Sequence, residues 1–269
     1  CKAGWCQNVM ILPEFRNMGL GYFLLKHAMH DLKKDEMDIL MVAGTNKNSY
    51  PLLKSLGFSD LGFINRNIKP SPFGLAAGLL SVDADRLSSP DVKGRVRVIG
   101  ADDFGPDFDS FWLSVSQNFS CIVKRDAKNL RWRFKGNPYW DYKILCAKAG
   151  DVIRGYAVLK EGYLKGRLKG IRVGTISDIL FDPKDKSTGI TLLAGVCAYL
   201  RKRVGVIRCD ILCEEMQHFV ESAGFLNIKS NNRFLVYPLS EEVKTHKGIV
   251  LEGRRCWCLT SGDSDLDLF

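Results

Sequence analysis

The chain has 269 residues, enough for one large domain or two ordinary ones. A hydrophobic content of 46% is that of a folded globule, and no apolar run approaches the roughly 18 residues of a membrane span, so no membrane partner is expected. The formal charge of +9 favours anionic partners, namely nucleic acid, phosphorylated cofactors or acidic surfaces, but the cations are spread along the chain and residues 262–269 are acidic.

Taken in order, residues 5–12 predict a short strand. Leu20, Phe23, Leu24, His27 and Ala28 then follow the i, i+3, i+4, i+7, i+8 spacing of an amphipathic helix running to about Leu32. Residues 38–43 (DILMVA) read as a buried strand. Asn46 is placed to cap a second helix through Leu56, with Gly57 ending it, and residues 63–69 suit a further strand. From Pro70 to Gly94 the composition changes, with Pro70, Pro72, Ser88, Ser89 and Pro90 flanking a small helical stretch, which marks a linker. Beyond it, residues 107–119, 126–135, 188–202 and 215–223 predict helices, and 143–148, 155–160, 173–181, 206–212, 233–238 and 255–259 predict strands. The alternation is α/β.

The order strand, Pro13, helix, strand, helix, Gly57-Phe58 returns as strand, Pro183, helix, strand, helix, Gly224-Phe225. Nearly equal spacing makes duplication the expected origin. The expected domains are residues 1–70, a linker at 71–94, and residues 95–269.

The first strand-to-helix turn reads Arg16-x-x-Gly19-x-Gly21. Its amides become the unsatisfied N-terminus of a helix, whose dipole and donors suit a pyrophosphate. Gly19 and Gly21 remove side chains where a phosphate approaches the backbone, and Arg16 can add a charge-assisted contact. Tight helix–strand packing is the alternative for a lone glycine-rich turn. The spacing is not Gly-x-Gly-x-x-Gly, and no Walker-type lysine follows.

The stretch VMILPEFRNMGLGYFLL at residues 9–25 resembles the cofactor motif of the GNAT N-acetyltransferases, Arg/Gln-x-x-Gly-x-Gly/Ala. NKNSYPLLKSLGF, ending at Phe58, resembles the next motif of that family. The resemblance implies a mixed, mostly antiparallel GNAT-type sheet flanked by helices and duplicated in tandem. It implies acetyl-CoA as cosubstrate. The pyrophosphate would be held by Arg16, Asn17, Met18, Gly19, Leu20 and Gly21, the thioester carbonyl by a strand amide near Val9–Ile11, and Asn46 would lie near the pantetheine arm. A small-molecule or peptide amine would attack directly, giving amide and CoA. The alternative is an inactive GNAT-like scaffold or binding protein.

Departures from the family pattern shape further expectations. Little of a GNAT domain precedes Trp5, and the chain opens on Cys1 without an initiator methionine or a secretory leader. A first domain truncated at its N-terminus, or one completed by a homodimer, is therefore expected. The position of the family's tyrosine acid falls on Leu53, with Tyr50 one turn earlier. The second copy reads Lys186-x-x-Gly189-x-Thr191, with Cys213 at the asparagine position, which implies a degenerate domain that shapes the cleft. The carboxylate that some members place five residues before the motif's proline falls on Asp178, and its first-half equivalent is Asn8. Asp178 is the candidate base; a strand carboxylate satisfied locally is the alternative reading.

The remaining signals are weaker. Arg131-Trp132-Arg133-Phe134-Lys135 interleaves cations with aromatics, as single-stranded nucleic-acid surfaces do. An amphipathic helix with Trp132 packed inward is the preferred reading, so nucleic acid is not the expected partner. Lys160, Lys165, Arg167, Lys169 and Arg172 suit a solvated hairpin, and His27 suits a core or boundary position. Nine cysteines without Cys-x-x-Cys spacing predict reduced thiols, no metal and a cytoplasmic setting.

Overall fold

The computed structural model of the chain describes residues 1–71, 96–165, 169–245 and 253–267. They form two compact units, one from Cys1–Ile64, Ser230–Trp257 and Ser264–Phe269, the other from Asn65–Lys229 and Cys258–Asp263. The small helical stretch expected within the linker and the basic position Arg167 lie outside the described residues.

In the first unit, strand β1 (Ala3–Trp5) pairs in parallel with β2 (Ile39–Ala43), from Ala3 opposite Ile39 to Trp5 opposite Met41. β12 (Arg233–Pro238) runs antiparallel to β2, and β3 (Ser59–Phe63) pairs with β12, giving the order β1-β2-β12-β3. Every residue of β2 is buried, as a continuous apolar run in a central strand requires. Helix α1 (Leu20–Lys34) joins β1 to β2, and α2 (Ser49–Ser55) follows β2. Leu25 and Met29 of α1, Leu53 of α2, Leu40 and Val42 of β2, Phe58, Leu235 and Leu239 make the core.

The phase of α1 differs from expectation. Leu25 and Met29 are its buried residues, whereas Leu20, Phe23 and Leu24 are exposed. The helix carries two apolar stripes, and the stripe one residue later faces the sheet. His27 is a surface residue, paired with Asp31 at 3.3 Å.

The second unit contains a larger sheet, ordered β11-β4-β10-β9-β8-β7-β5, with β13 and β6 attached off that path. The strands are β4 (Asn65–Pro70), β5 (Val96–Ala101), β6 (Cys121–Ile122), β7 (Lys143–Ala149), β8 (Val152–Tyr163), β9 (Arg172–Phe181), β10 (Val206–Leu212), β11 (Leu226–Ile228) and β13 (Trp257–Thr260). β9 and β10 are parallel and joined by α5 (Lys186–Leu200), which buries Leu192, Leu193, Val196 and Leu200. Helices α3 (Asp107–Val115), α4 (Ala127–Leu130) and α6 (Glu214–Ser222) are the other α-helices among the described residues of this unit. Phe104, Phe108, Phe111 and Tyr156 form an aromatic cluster in its core, with Phe108 and Tyr156 ring centroids 5.5 Å apart. The class is therefore mixed α/β with mostly antiparallel pairing.

Two further expectations change here. Residues 126–135 are helical, α4 running into a π-type turn at Arg131–Lys135, but Phe134 packs inward and Trp132 is exposed. The wider π turn changes the side-chain phase relative to a regular helix. Lys160 is buried rather than solvated, its Nζ lying 4.2 Å from the centroid of the Trp140 ring.

Candidate functional site

The first strand is shorter than the predicted span of residues 5–12. Cys6 N still donates to Met41 O at 2.8 Å, but Asn8 takes a left-handed φ of 55° and turns the chain off the sheet. Ile11 therefore lies beyond the strand. Pro13–Phe15 forms a single 3-10 turn, with Phe15 N donating to Leu12 O and Arg16 N to Pro13 O. Arg16 Nε donates to Ile11 O at 3.0 Å and clasps this loop.

Asn17 (φ 64°) and Gly19 (φ 74°) are both left-handed, and they bring the chain into α1. Gly19 is the N-cap, and no side chain caps the helix there. Tyr22 N and Phe23 N both turn back to Gly19 O. The amides that precede them have no acceptor within the helix, and Arg16, Asn17, Met18, Gly19 and Leu20 are all exposed. The positive end of a fifteen-residue helix thus opens to solvent, and among the described residues no side chain claims its donors.

The two glycines have different physical reasons. A Cβ on Gly19 would meet only Phe23, at 3.6 Å, so its requirement is the left-handed backbone. A Cβ on Gly21 would meet Leu52 of α2 at 3.3 Å and Ile11 at 3.8 Å, so its requirement is packing. Ile11, Arg16 and Gly21 are brought together around one turn. Asn46 follows the C-terminal end of β2 and accepts from Asn48 N and Ser49 N, each at 2.9 Å, while Asn46 N donates to Ser49 Oγ. It opens α2 as its capping side chain, the role its spacing predicts.

The tyrosine position, Leu53, is buried in the core. The Tyr50 hydroxyl donates to Asp60 at 2.9 Å, and Asp60 also pairs with Arg233. The hydrogen bond to Asp60, reinforced by burial, holds the Tyr50 phenol above its ordinary pKa.

The corresponding region of the second unit is built differently. Asp185 caps α5, accepting from Thr188 N at 3.1 Å and from Thr188 Oγ1 at 2.7 Å, so a carboxylate of the chain sits at this helix N-terminus. A Cβ on Gly189 would fall 2.5 Å from the Phe181 ring. This glycine serves close helix–strand packing. The parallel pairing of β9 and β10 runs only as far as Ile176 opposite Cys209. Past that point Ile211 and Leu212 pair instead with Thr260 and Leu259 of β13.

The segment Cys258–Asp263 is therefore a strap lying along β10, beyond the end of the β9–β10 pairing. Thr260 Oγ1 donates to Asp178 at 2.9 Å and Ser261 Oγ to Ser177 O at 3.4 Å. Gly262 has no room for a side chain, with Ser177 O 2.7 Å and Phe134 2.8 Å from the position of a Cβ.

Asp178 sits at the centre of this arrangement, 2% exposed. Its oxygens accept from Arg125 Nε at 3.1 Å, Tyr156 OH at 2.7 Å, Ile179 N at 3.0 Å and Thr260 Oγ1. Arg125 Nη2 reaches Asp263 of the strap at 2.6 Å. Burial alone would lower the Arg125 pKa, but Asp178 and Asp263 outweigh it and hold the guanidinium well above its ordinary value. Burial pushes the Asp263 carboxyl up to about 6, against the pull of Arg125. Arg125 and the strap were not legible as a cluster. Thr260-Ser261-Gly262-Asp263 is a turn signal after an apolar run, and nothing in its spacing points 138 residues back to Arg125.

Among the described residues no group of three or more His, Cys, Asp or Glu is placed to hold a metal, and no helix is long and apolar enough to cross a membrane.

Residues 2–66 match the family model described as FR47-like protein, a GNAT-related family. No curated protein matches the chain by sequence. Among solved structures, a GCN5-related N-acetyltransferase from Anabaena variabilis is similar at a TM-score of 0.61 and 12% identity, over 89% of this chain and 55% of that one. An Enterococcus faecalis protein described as a probable N-acyltransferase is similar at 0.59 and 13%, over 89% and 55%. The N-myristoyltransferase of Saccharomyces cerevisiae, solved with bound myristoyl-CoA, is similar at 0.54 and 11%, over 85% and 60%. The chain thus spans only 55–60% of the length of these three structures. Its fold is that of the GCN5-related N-acetyltransferases, with the FR47-like match covering the turn at Arg16–Gly21.

Proposed function

We propose that the chain is part of an acyl-CoA-dependent N-acyltransferase whose cofactor site is the first-unit turn. The uncapped, exposed N-terminus of α1 carries this reading. Gly19 as a left-handed N-cap leaves the first amides open, a donor set suited to a pyrophosphate. Arg16, Asn17, Met18, Gly19, Leu20 and Gly21 would hold it, with Ile11 and Asn46 on the segments that follow the C-terminal ends of β1 and β2. Coenzyme A supplies the activated acyl thioester when bound. Acetyl is the proposed acyl group and a small-molecule or peptide amine the proposed acceptor.

In this reading the second unit is a copy of the first that has lost its cofactor site. Each unit has a parallel strand pair joined by one helix, β1-α1-β2 and β9-α5-β10, which supports duplication. Asp178 is assigned no proton transfer, because Arg125, Tyr156, Thr260 and a backbone amide already occupy its oxygens. A second reading, a scaffold that binds acyl-CoA without turning it over, is favoured by Leu53 at the tyrosine position and by the engagement of Tyr50 with Asp60. The test is release of free thiol from acetyl-CoA in the presence of a panel of amines and N-terminal peptides. Gly19→Val serves as the control, because its side chain strains the left-handed N-cap by about 1–2 kcal/mol. Amine-dependent thiol release that Gly19→Val reduces at least tenfold is expected; binding without release would establish the scaffold.

A further inference from the structure

The cofactor reading gives none of the nine cysteines a task, and two of them, Cys213 and Cys258, lie at the paired ends of β10 and β13. The register of β10 with β13 places Leu212 opposite Leu259, and the next step places Cys213 opposite Cys258. The backbone remains extended through Cys213 (φ −160°, ψ 108°), so the register carries that far. Directly opposed residues of an antiparallel pair have Cα atoms roughly 4.5–5.5 Å apart, inside the roughly 4.4–6.8 Å that a disulfide spans. Both residues are buried, and the Cys213 thiol sits beside the Cys258 thiol and donates to Glu215 Oε2 at 3.5 Å.

We propose that Cys213 and Cys258 form a reversible disulfide that fastens the strap Cys258–Asp263 to the end of β10. The oxidant is a hydroperoxide. One thiolate attacks its O–O bond, giving a sulfenic acid and releasing water or alcohol. The second thiol then displaces water from that sulfur. The two cysteines lose two electrons and two protons, and the hydroperoxide takes them up. Reduction by a dithiol restores both thiols.

The position of the pair gives the bond a consequence. Cys213 is the residue before α6, and Cys258 begins the strap whose Thr260 and Asp263 reach Asp178 and Arg125. A link here closes a loop between these two points and opposes any departure of the strap from the β9–β10 gap. The neighbouring Cys258 thiol and burial raise the Cys213 pKa, so the reduced pair is slow to react and the exposed Cys1 is oxidised first.

The experiment treats the folded chain with hydrogen peroxide until Cys1 is fully oxidised and beyond, then maps peptides by mass under non-reducing conditions. A dithiothreitol-reversible 213–258 link is expected in the natural chain and in Cys256→Ser, and is absent from Cys213→Ser and Cys258→Ser. The linked chain is expected to show at least tenfold slower hydrogen exchange across residues 258–263 and a melting midpoint higher by about 5 °C. Oxidation that leaves Cys213 and Cys258 as thiols, or that links Cys213 through Cys256 or Cys209 instead, overturns the proposal.

Discussion

The helix N-termini at Gly19 and Asp185 follow equivalent strand–proline turns, and they solve the same electrostatic problem in opposite ways. At Gly19 the donors are left open, because a glycine cap has no side chain to satisfy them. At Asp185 a carboxylate closes them. The matching glycines of the two motifs differ in the same sense: Gly19 holds a left-handed backbone at the surface, and Gly189 lets Phe181 press against α5. The strand gap of the second unit is lined by the strap, which Arg125 ties to Asp178 through Asp263. Resemblance between two motifs is thus a poor guide to their use. What matters is whether the donors of the turn still await a partner.

The largest effect that would break this comparison is expected at Arg125. Replacing it by Met leaves Asp178 and Asp263 buried without their cation, and the cost is roughly 3–5 kcal/mol of unfolding free energy in chemical denaturation. A loss below about 1 kcal/mol would mean that the strap is not held by this charge.

A smaller effect concerns pH. The Asp263 carboxyl titrates at about 6 in the folded chain against an ordinary value of 3.8. The folded state therefore holds this proton more tightly than the unfolded state. Its stabilising contribution is complete below pH 4 and is lost as pH rises towards 6. Relative to Asp263→Asn, the natural chain should lose about 1–3 kcal/mol across that window, measured by denaturation at each pH. A difference that stays flat or rises would contradict the assignment.

The smallest contrast sharpens the two glycine roles. Gly189→Ala drives a methyl to within 2.5 Å of the Phe181 ring and should destabilise by about 1–3 kcal/mol. Gly21→Ala meets only the flexible tip of Leu52 at 3.3 Å, and the gain in helix propensity offsets the crowding, leaving a change under about 1 kcal/mol. Equal losses in thermal denaturation would erase the distinction.

Much of the architecture was readable in the residues. DILMVA located β2, the Leu192–Leu200 spacing located α5, and residues 206–212 and 233–238 were strands at those bounds. The sheet to which each strand belongs was not readable. Residues 233–238 pair with β2 and β3 rather than with their nearest chain neighbours β10 and β11, and only long-range register decides that. The two apolar stripes of α1 left its phase ambiguous until the sheet selected Leu25 and Met29. At the candidate site, Arg16-x-x-Gly19-x-Gly21 marked the turn, but Asp178 illustrates the limit. A lone carboxylate in a strand reads the same whether it faces a substrate or a buried arginine.

The most direct measurement is a calorimetric titration of acetyl-CoA into the chain, with Gly19→Val and Asp185→Ala as companions. One site per chain is expected, weakened at least tenfold by Gly19→Val and unchanged by Asp185→Ala. Two sites, or a single site that survives Gly19→Val, would contradict this expectation.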